Sequence, residues 1–456
     1  MGTTSATLRT VCVPAALTAL LALAACETPT VATPAIDAQA APATAPPQPI
    51  GEPGAEGAPP PGAPPVARPD VDRLRIAILV PLSGRNAGLG RDMLDAAQMA
   101  LFDAGTRDMA LMPRDARGTP DGAQAAARAA VDDGAELIIG PLLSPSVAAA
   151  APTARSRGVP LVAFTNDRAV AGNGVWPMGF VPQEQVRRVV AFARAQGVAE
   201  FAALAPTSPY GDTMVAALQE ATVLSGAQFT RVALYPPGDT EATTEVVKAL
   251  ADYDNRRTAL MDQRELLEGR DDQVSQRALK RLERRDTLGE VTFQAVLLPT
   301  AGDELMQLAP LLPYYDIDPA RVRFLGTWQW DVTGIGTEPA LMGAWFAAPP
   351  RETRIDFESR FKALYGRLPN RLATLAYDAM ALAAVIARQT DGETRRPRTT
   401  YDAATLTQPS GFLGVDGIFR LLPSGEVQRG LAILEIERDG FRTVDPAPKT
   451  FEAFGS

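Results

Sequence analysis

The sequence predicts an α/β protein built as two Rossmann-like lobes, each a parallel sheet wound with helices. Three observations carry that expectation. Short β-branched apolar runs recur between residues 74 and 325 and alternate with helix-length amphipathic stretches. Several of those runs are apolar throughout, as strands buried on both faces require. Polar loops rich in glycine, proline, serine and asparagine follow the runs at their carboxyl ends, where an open α/β sheet presents its ligand crevice.

The pattern is densest from Gly134 to Asp167, GAELIIGPLLSPSVAAAAPTARSRGVPLVAFTND. Glu136 to Gly140 is too short for a helix and reads as a buried strand. Pro141 and Pro145 bracket Ser144, and Ser146 to Arg157 is an alanine-rich helix with Pro145 at its first position and Ser144 as its cap. Gly158 stops that helix, and Val159 to Phe164 is the next strand, running into Thr165, Asn166 and Asp167. Ser144, Thr165, Asn166 and Asp167 are therefore the first candidates for a ligand cleft.

The N-terminus stands apart from the fold. Arg9 precedes an apolar segment from Val11 to Ala25, shorter than a bilayer-spanning helix and of signal-peptide length. Residues 1–25 read as a lipoprotein signal peptide, because Leu23-Ala24-Ala25-Cys26 resembles a bacterial lipobox in which Cys26 receives the lipid; the alternative is an ordinary small-residue cleavage site. Cys12 would leave with the signal, so the mature chain has no disulfide. Glu27 at the next position implies, for lipoproteins, sorting to the outer membrane. Residues 27 to 70 hold 13 prolines and no aliphatic stripe, a disordered tether with a reach on the order of 130 Å if fully extended.

Composition excludes several functions. The formal charge is −9 and no basic stripe with interleaved aromatics appears, so nucleic acid is not an expected partner. The chain has no histidine. That removes imidazole acid/base catalysis, histidine triads and imidazole zinc sites; no metal, cofactor or catalytic residue is expected. Ser359-x-x-Lys362 matches one acyl-enzyme motif, but its companion Ser-x-Asn and Lys-Thr-Gly elements are missing and both residues sit on one charged helix.

In chain order, Leu74 to Leu82 is the opening strand, and Ser83 and Gly84 begin a glycine-containing loop to Gly90 that leads into a helix from about Arg91 to Ala104. Met93 stands where a dinucleotide fingerprint needs its third glycine, so a nucleotide site is not expected. Met109 to Arg114 and a helix from Thr119 to Asp133 follow. Trp176 to Pro182 reads as a first crossover into a second lobe. There the helix Gln183 to Gln196, the strand Phe201 to Ala205, the helix Thr213 to Ser225 and the strand Phe229 to Tyr235 repeat the winding. Tyr210 sits after a strand, either over a ligand or over its own loop.

Residues 251–290 depart from their surroundings, with 19 of 40 residues charged. Tyr253, Leu260, Leu267 and Val274 fall seven apart, and Gly269 to Asp272 breaks the stretch into a helical hairpin: a solvated elaboration or a docking surface. The sheet resumes at Phe293 to Pro299 and Val322 to Leu325, the second strand followed by Trp328-Gln329-Trp330, a cleft wall or a domain plug. Pro349-Pro350 marks a second crossover. Gly411 to Phe419 and Glu426 to Ile436 are two closing strands around a Pro423-Ser424-Gly425 turn.

Pro81-Leu82-Ser83-Gly84, Ile138-Ile139-Gly140-Pro141 with Ser144, Tyr210-Gly211, Ala376-Tyr377-Asp378-Ala379 and GFLGVDG from Gly411 occur in an order that resembles the type I periplasmic binding proteins. That resemblance implies three crossovers forming a hinge, with lobe 1 as 71–179 and 349–411, lobe 2 as 180–348 and 412–440, and 441–456 as a tail. The phrases IIGPLLSPSVAAAAP, GVPLVAFTND and GVDGIFRLLPSGEVQRGLAIL are similar to the LpoA-like penicillin-binding protein activators, which implies an outer-membrane lipoprotein meeting a class A penicillin-binding protein. The other implied function is a solute receptor with a small-molecule ligand, delivered to an ABC permease. Amino-acid receptors of this fold carry an acid in the loop after the Val322 to Leu325 strand; here neutral Gln329 is in that place, with Asp331 the one acidic substitute. Ser83, Gly84, Tyr210, Trp328 and Gln329 complete the expected cleft.

Overall fold

The computed structural model describes residues 73–105, 108–390 and 401–451. The signal segment, Cys26 and the proline-rich tether lie outside the described residues.

Lobe 1 begins with β1 (Leu74–Val80), α1 (Ala87–Ala104), β2 (Met109–Asp115), α2 (Pro120–Asp132), β3 (Leu137–Ile139), α3 (Ser144–Ser156), β4 (Leu161–Ala163) and β5 (Val175–Pro177). Its five strands are parallel in the order β2-β1-β3-β4-β5. The chain then crosses to lobe 2, which holds α4 (Pro182–Ala195), β6 (Glu200–Pro206), α5 (Pro209–Leu224), β7 (Gln228–Tyr235), α6 (Thr240–Ala251), α7 (Tyr253–Glu268), α8 (Gln273–Leu282), β8 (Ala295–Leu297), α9 (Gly302–Leu308), α10 (Leu311–Tyr314), β9 (Arg323–Gly326) and β10 (Trp345–Ala348). It returns to lobe 1 through α11 (Arg351–Tyr365), α12 (Ala373–Thr390), α13 (Ala403–Leu406), β11 (Phe412–Gly414), β12 (Gly417–Leu421) and β13 (Val427–Arg429), and ends in lobe 2 with β14 (Ala432–Glu437) and β15 (Gly440–Asp445).

The second sheet runs β15-β14-β10-β9-β8-β6-β7, its pairings parallel except those of β14 with β10 and with β15. Each sheet is clothed on both faces by separate apolar clusters. Ile76, Ile78, Leu137 and Ile139 pack toward α1 and α12, while Ala77, Leu79 and Ile138 pack toward α2 and α3. Alternation along one strand thus feeds two cores, which is why the strands read as continuous apolar runs. Two aligned α/β lobes joined by three crossings are the architecture expected.

Three expectations are corrected. The last crossing lies at Gly430-Leu431, not Gly411. Phe412, Phe419, Leu421 and Val427 join the lobe 1 core, whereas Leu431, Ala432, Ile433, Leu434 and Ile436 join the lobe 2 cores. The two closing strands are therefore four, in two sheets, with the expected turn linking β12 to β13. Residues 441–445 are β15 rather than tail, paired antiparallel with β14.

The glycine-containing stretch after β1 is mostly helix, since α1 starts at Ala87. Gly90 lies against the chain at Pro81, where any Cβ would run into the Pro81 carbonyl. That glycine serves close helix-to-strand approach. The helical hairpin forms as expected, α7 and α8 breaking at residues 269–272. Val274 does not continue the apolar stripe, because the second helix restarts on a new phase and leaves it 74% exposed.

Candidate ligand cleft

All three crossings occur at carboxyl ends of strands. The chain leaves β5 for α4 and leaves β10 for α11, and it enters β14 opposite the end of β10, with Ala432 paired to Ala348. The carboxyl edges of both sheets therefore sit on the hinge side, which is where ligand-binding loops of α/β sheets belong.

On lobe 1, the structure brings Ser144, Thr165 and Asp167 together. The Ser144 hydroxyl donates to the Asp167 carboxylate, which also accepts from the Ala169 amide at 2.9 Å. The Asp167 amide donates to Thr165 Oγ1 at 3.2 Å. Ser144 is thus not the cap of α3 that the sequence predicts: it is the first helical residue after Leu143, and its hydroxyl is drawn to the stronger, charged acceptor. Asn166 is exposed at the same edge. Gly179 lies beneath, where a Cβ would strike the Thr165 carbonyl.

Ser83 and Gly84 form a second cluster, at the end of β1. The Ser83 hydroxyl donates to Asp115 Oδ2 at 2.6 Å, and Asp115 Oδ1 accepts from the amides of Leu82 at 2.9 Å and Arg117 at 2.8 Å. Burial pushes the Asp115 carboxyl up, but the Ser83 hydroxyl and those amides outweigh it and hold it below its ordinary value. Sequence reading missed Asp115 by ending the strand at Arg114; the register of β2 on β1 carries it to the strand's end, opposite Val80.

On lobe 2, Tyr210 and Gln329 meet. The Tyr210 hydroxyl donates to Gln329 Oε1 at 3.2 Å, and the ring packs against the lobe 2 core. Tyr210 opens α5, and its hydroxyl reaches the loop after β9; burial pushes its phenol up. Trp328 and Trp330 part company. Trp330 is fully buried in lobe 2 and donates its indole N–H to the Thr300 carbonyl at 2.8 Å, so it is a plug and not a wall. Trp328 touches the cores of both lobes and lies 4.8 Å from the Phe180 ring, at the first crossing.

Gln185, the polar residue on the apolar face of α4, secures that junction: its Nε2 donates to the Phe180 carbonyl at 3.0 Å and its Oε1 accepts from the Trp328 amide at 3.1 Å. A glutamine one turn before Val189, on the Val186-Val189-Val190 face, was the available signal. Arg371 stacks over both rings, 4.8 Å from Phe180 and 5.6 Å from Trp328.

Asp331 does not substitute for the missing acid. Its carboxylate is buried between Arg354, at 2.6 Å, and Arg351, at 3.0 Å. Among the described residues, no hydrogen bond or ion pair joins Ser83, Ser144, Thr165 or Asp167 to Tyr210 or Gln329, while Arg168, next to Asp167, faces Glu220 of α5 across the lobes at 3.9 Å. A cavity of about 60 Å³, lined by Arg168 and Glu426 of lobe 1 and by Glu184, Arg187 and Glu220 of lobe 2, includes none of them. No helix among the described residues is long and apolar enough to cross a membrane.

The family model described as "Periplasmic binding protein" matches residues 73–441. The chain is similar to the crystal structure of a candidate branched-chain amino acid ABC transporter protein from Rhodospirillum rubrum, with 20% identity, 82% of this chain and 100% of that one covered, and a TM-score of 0.64. It is also similar to a solute-binding protein of an ABC transporter from Rhodopseudomonas palustris in complex with 3,4-dihydroxybenzoic acid, at 15% identity, 83% and 99% coverage, and a TM-score of 0.54. A third is the branched-chain amino acid transporter substrate-binding protein of Streptococcus pneumoniae in complex with isoleucine, at 16% identity, 82% and 100% coverage, and a TM-score of 0.52. At these identities the likeness concerns the fold. No curated protein matches the chain.

Proposed function

The chain belongs to the periplasmic binding protein family, and from that premise we propose that it is a non-enzymatic receptor holding a small solute between its lobes. The solute class follows from which carboxylates are already engaged. Asp115, Asp167 and Asp331 are each held by hydroxyls, amides or guanidinium groups of the protein itself, and Gln329 is neutral. Asp115 and Asp167 keep their charge but lie on lobe 1, so an ammonium seated beside Gln329 in a closed cleft would lose its water without gaining a counter-charge from lobe 2, at a cost of several kcal/mol. Hydroxyls, amides and aromatic rings remain, which suit a neutral solute or one whose only charge is a carboxylate. The single observation carrying this reading is Asp331 closed off by Arg351 and Arg354.

Calorimetric titration of the purified protein tests it. Benzoate-like carboxylates or amides are expected to bind more tightly than leucine or isoleucine; tight binding of an aliphatic amino acid alongside silence from every carboxylate and amide would overturn it. We further propose that the protein works in the periplasm, tied to the outer membrane through lipid on Cys26. Metabolic labelling with palmitate, lost in Cys26→Ser, is the check.

A second reading is a lipoprotein that binds a class A penicillin-binding protein and activates peptidoglycan synthesis. The α7–α8 hairpin favours it, since a β-α-β unit from β7 to β8 is completed by α6 alone and the extra helices project outward with Met261 and Leu266 exposed. Co-purification with the synthase and a raised cross-linking rate would support it; neither effect would remove it.

A further inference from the structure

The five cations of residues 277–285 are all exposed, Arg277, Lys280, Arg281, Arg284 and Arg285, and Glu283 is the one acid among them. None forms an ion pair among the described residues, although arginines elsewhere in the chain are commonly paired, among them Arg168, Arg188, Arg256, Arg354 and Arg371. An unpaired cluster of this density on a chain of formal charge −9 runs against the bulk electrostatics of the molecule.

The cluster is anchored on α7. Ser275, Ala278, Leu279 and Leu282 are at least half-buried on the inner side of α8. Asp272 caps its start through the amides of Val274 and Ser275, at 3.0 and 2.9 Å. Arg264 of α7 donates to the carbonyls of Leu282 at 2.5 Å and Arg285 at 3.0 Å, tying down its far end. Arg277 and Arg281 are therefore presented one turn apart on the outer side of α8, with Arg284 in the turn that follows.

We infer that the outer face of α8 is a docking surface for an acidic segment of another protein. Charge complementarity names the chemistry. A bilayer is a poorer fit on two counts. The apolar side chains of α8 face α7, leaving Val274 as its one strongly exposed large apolar residue, whereas interfacial helices embed an apolar face. The adjoining helix α7 exposes Asp262, Glu265 and Glu268, which an anionic surface would repel and a protein of mixed charge can match. Met261 and Leu266, 56% and 64% exposed, add the apolar contact that protein interfaces use. The inference deepens the second reading above, on whose docking role it rests, and is independent of the cleft.

A photo-crosslinking residue placed at Gln276 in the full-length protein, in the cells that make it, tests the surface, with Gln124 on α2 as control. The expected result is a heterologous protein adduct whose crosslinked peptide is acidic, reduced about ten-fold by Arg277→Glu with Arg281→Glu and restored when the mapped acids are changed to lysine. The reversed protein should keep its melting temperature. An adduct unaffected by the reversal, an adduct with a second copy of this chain, or no adduct above the Gln124 control would overturn the inference, as would reversal-sensitive flotation with phosphatidylglycerol vesicles in place of a protein adduct. An acidic partner that is not a cell-wall synthase supports the surface while removing the second reading; a synthase that crosslinks elsewhere does the reverse.

Discussion

Asp331 of lobe 2 and Arg354 of lobe 1 meet at 2.6 Å across the second crossing, with side chains 3% and 9% exposed. Arg351 approaches the other Asp331 oxygen at 3.0 Å and lies over the Phe441 ring at 4.5 Å, so the first turn of α11 is gripped by lobe 2 although its body packs in lobe 1. The ion pair belongs to the hinge, and the same geometry that removes Asp331 from the cleft makes it a joint between the lobes.

Arg354→Met should therefore be costly beyond its lost packing. It leaves a buried carboxylate with one partner in place of two, and breaking a buried pair costs about 3 kcal/mol or more. The double variant Asp331→Leu with Arg354→Met removes the stranded charge and is expected to be more stable than Arg354→Met alone. Urea unfolding of the three proteins checks this; a double variant less stable than both singles would mean that the residues act through separate contacts.

Two glycines of α1 should respond in opposite directions to alanine. At Gly90 the new methyl meets the Pro81 backbone, which cannot yield without moving β1 from α1, and the expected loss is about 3 kcal/mol. At Gly88 nothing lies within 4 Å of the added Cβ, and the gain in helix propensity is worth up to about 1 kcal/mol. Thermal unfolding of both variants separates a packing role for the stretch from that of a mobile binding loop, for which both substitutions would be close to neutral.

What the sequence made legible was what periodicity and punctuation encode. Strands β1 to β4 and β6 to β9, the helical hairpin with its break near Gly269, and the gathering of Ser144, Thr165 and Asp167 at one edge follow from apolar runs and the loops that end them, whereas β5 and β10 read as crossovers and β15 as tail. Interactions distant in sequence were not legible. Asp115 holding Ser83, Gln185 holding Trp328, and Asp331 spent on Arg351 and Arg354 depend on register and crossing geometry. The misplaced third crossing has the same origin: β13 and β14 are separated by two residues and look like one strand, yet Val427 packs in one lobe and Ile433 in the other.

Replacing Gln329 by glutamate should change what the cleft accepts. The side chain already lies within 3.2 Å of the Tyr210 hydroxyl, so a carboxylate there keeps a hydrogen-bond donor while presenting the counter-charge an ammonium lacks. Gln329→Glu is expected to raise affinity for leucine or isoleucine about ten-fold or more over the parent and to weaken any carboxylate ligand. Calorimetry decides; equal affinities in the two proteins would place the ammonium subsite, or its absence, elsewhere.

The pH dependence of stability should be set in large part by Asp378. Complete burial, aggravated by the neighbouring Asp416 carboxylate and only partly offset by Arg429, pushes its pKa up to about 7. An unfolded aspartate titrates near 4, so between those values the folded protein binds a proton that the unfolded chain does not. The stabilisation is complete below the unfolded value and is lost as pH rises through the folded one. Unfolding free energy is therefore expected to fall by about 2 to 3 kcal/mol between pH 5 and pH 7.5 and then to level off. With no histidine in the chain, few other groups titrate in that window. Asp378→Asn keeps an acceptor for the Val415 amide, which lies at 2.6 Å, but cannot ionise, and should flatten the profile. Urea midpoints measured from pH 5 to 8.5 for both proteins are the check; parallel profiles would move the titrating group to Glu136 or Glu184, whose carboxyls burial also pushes up.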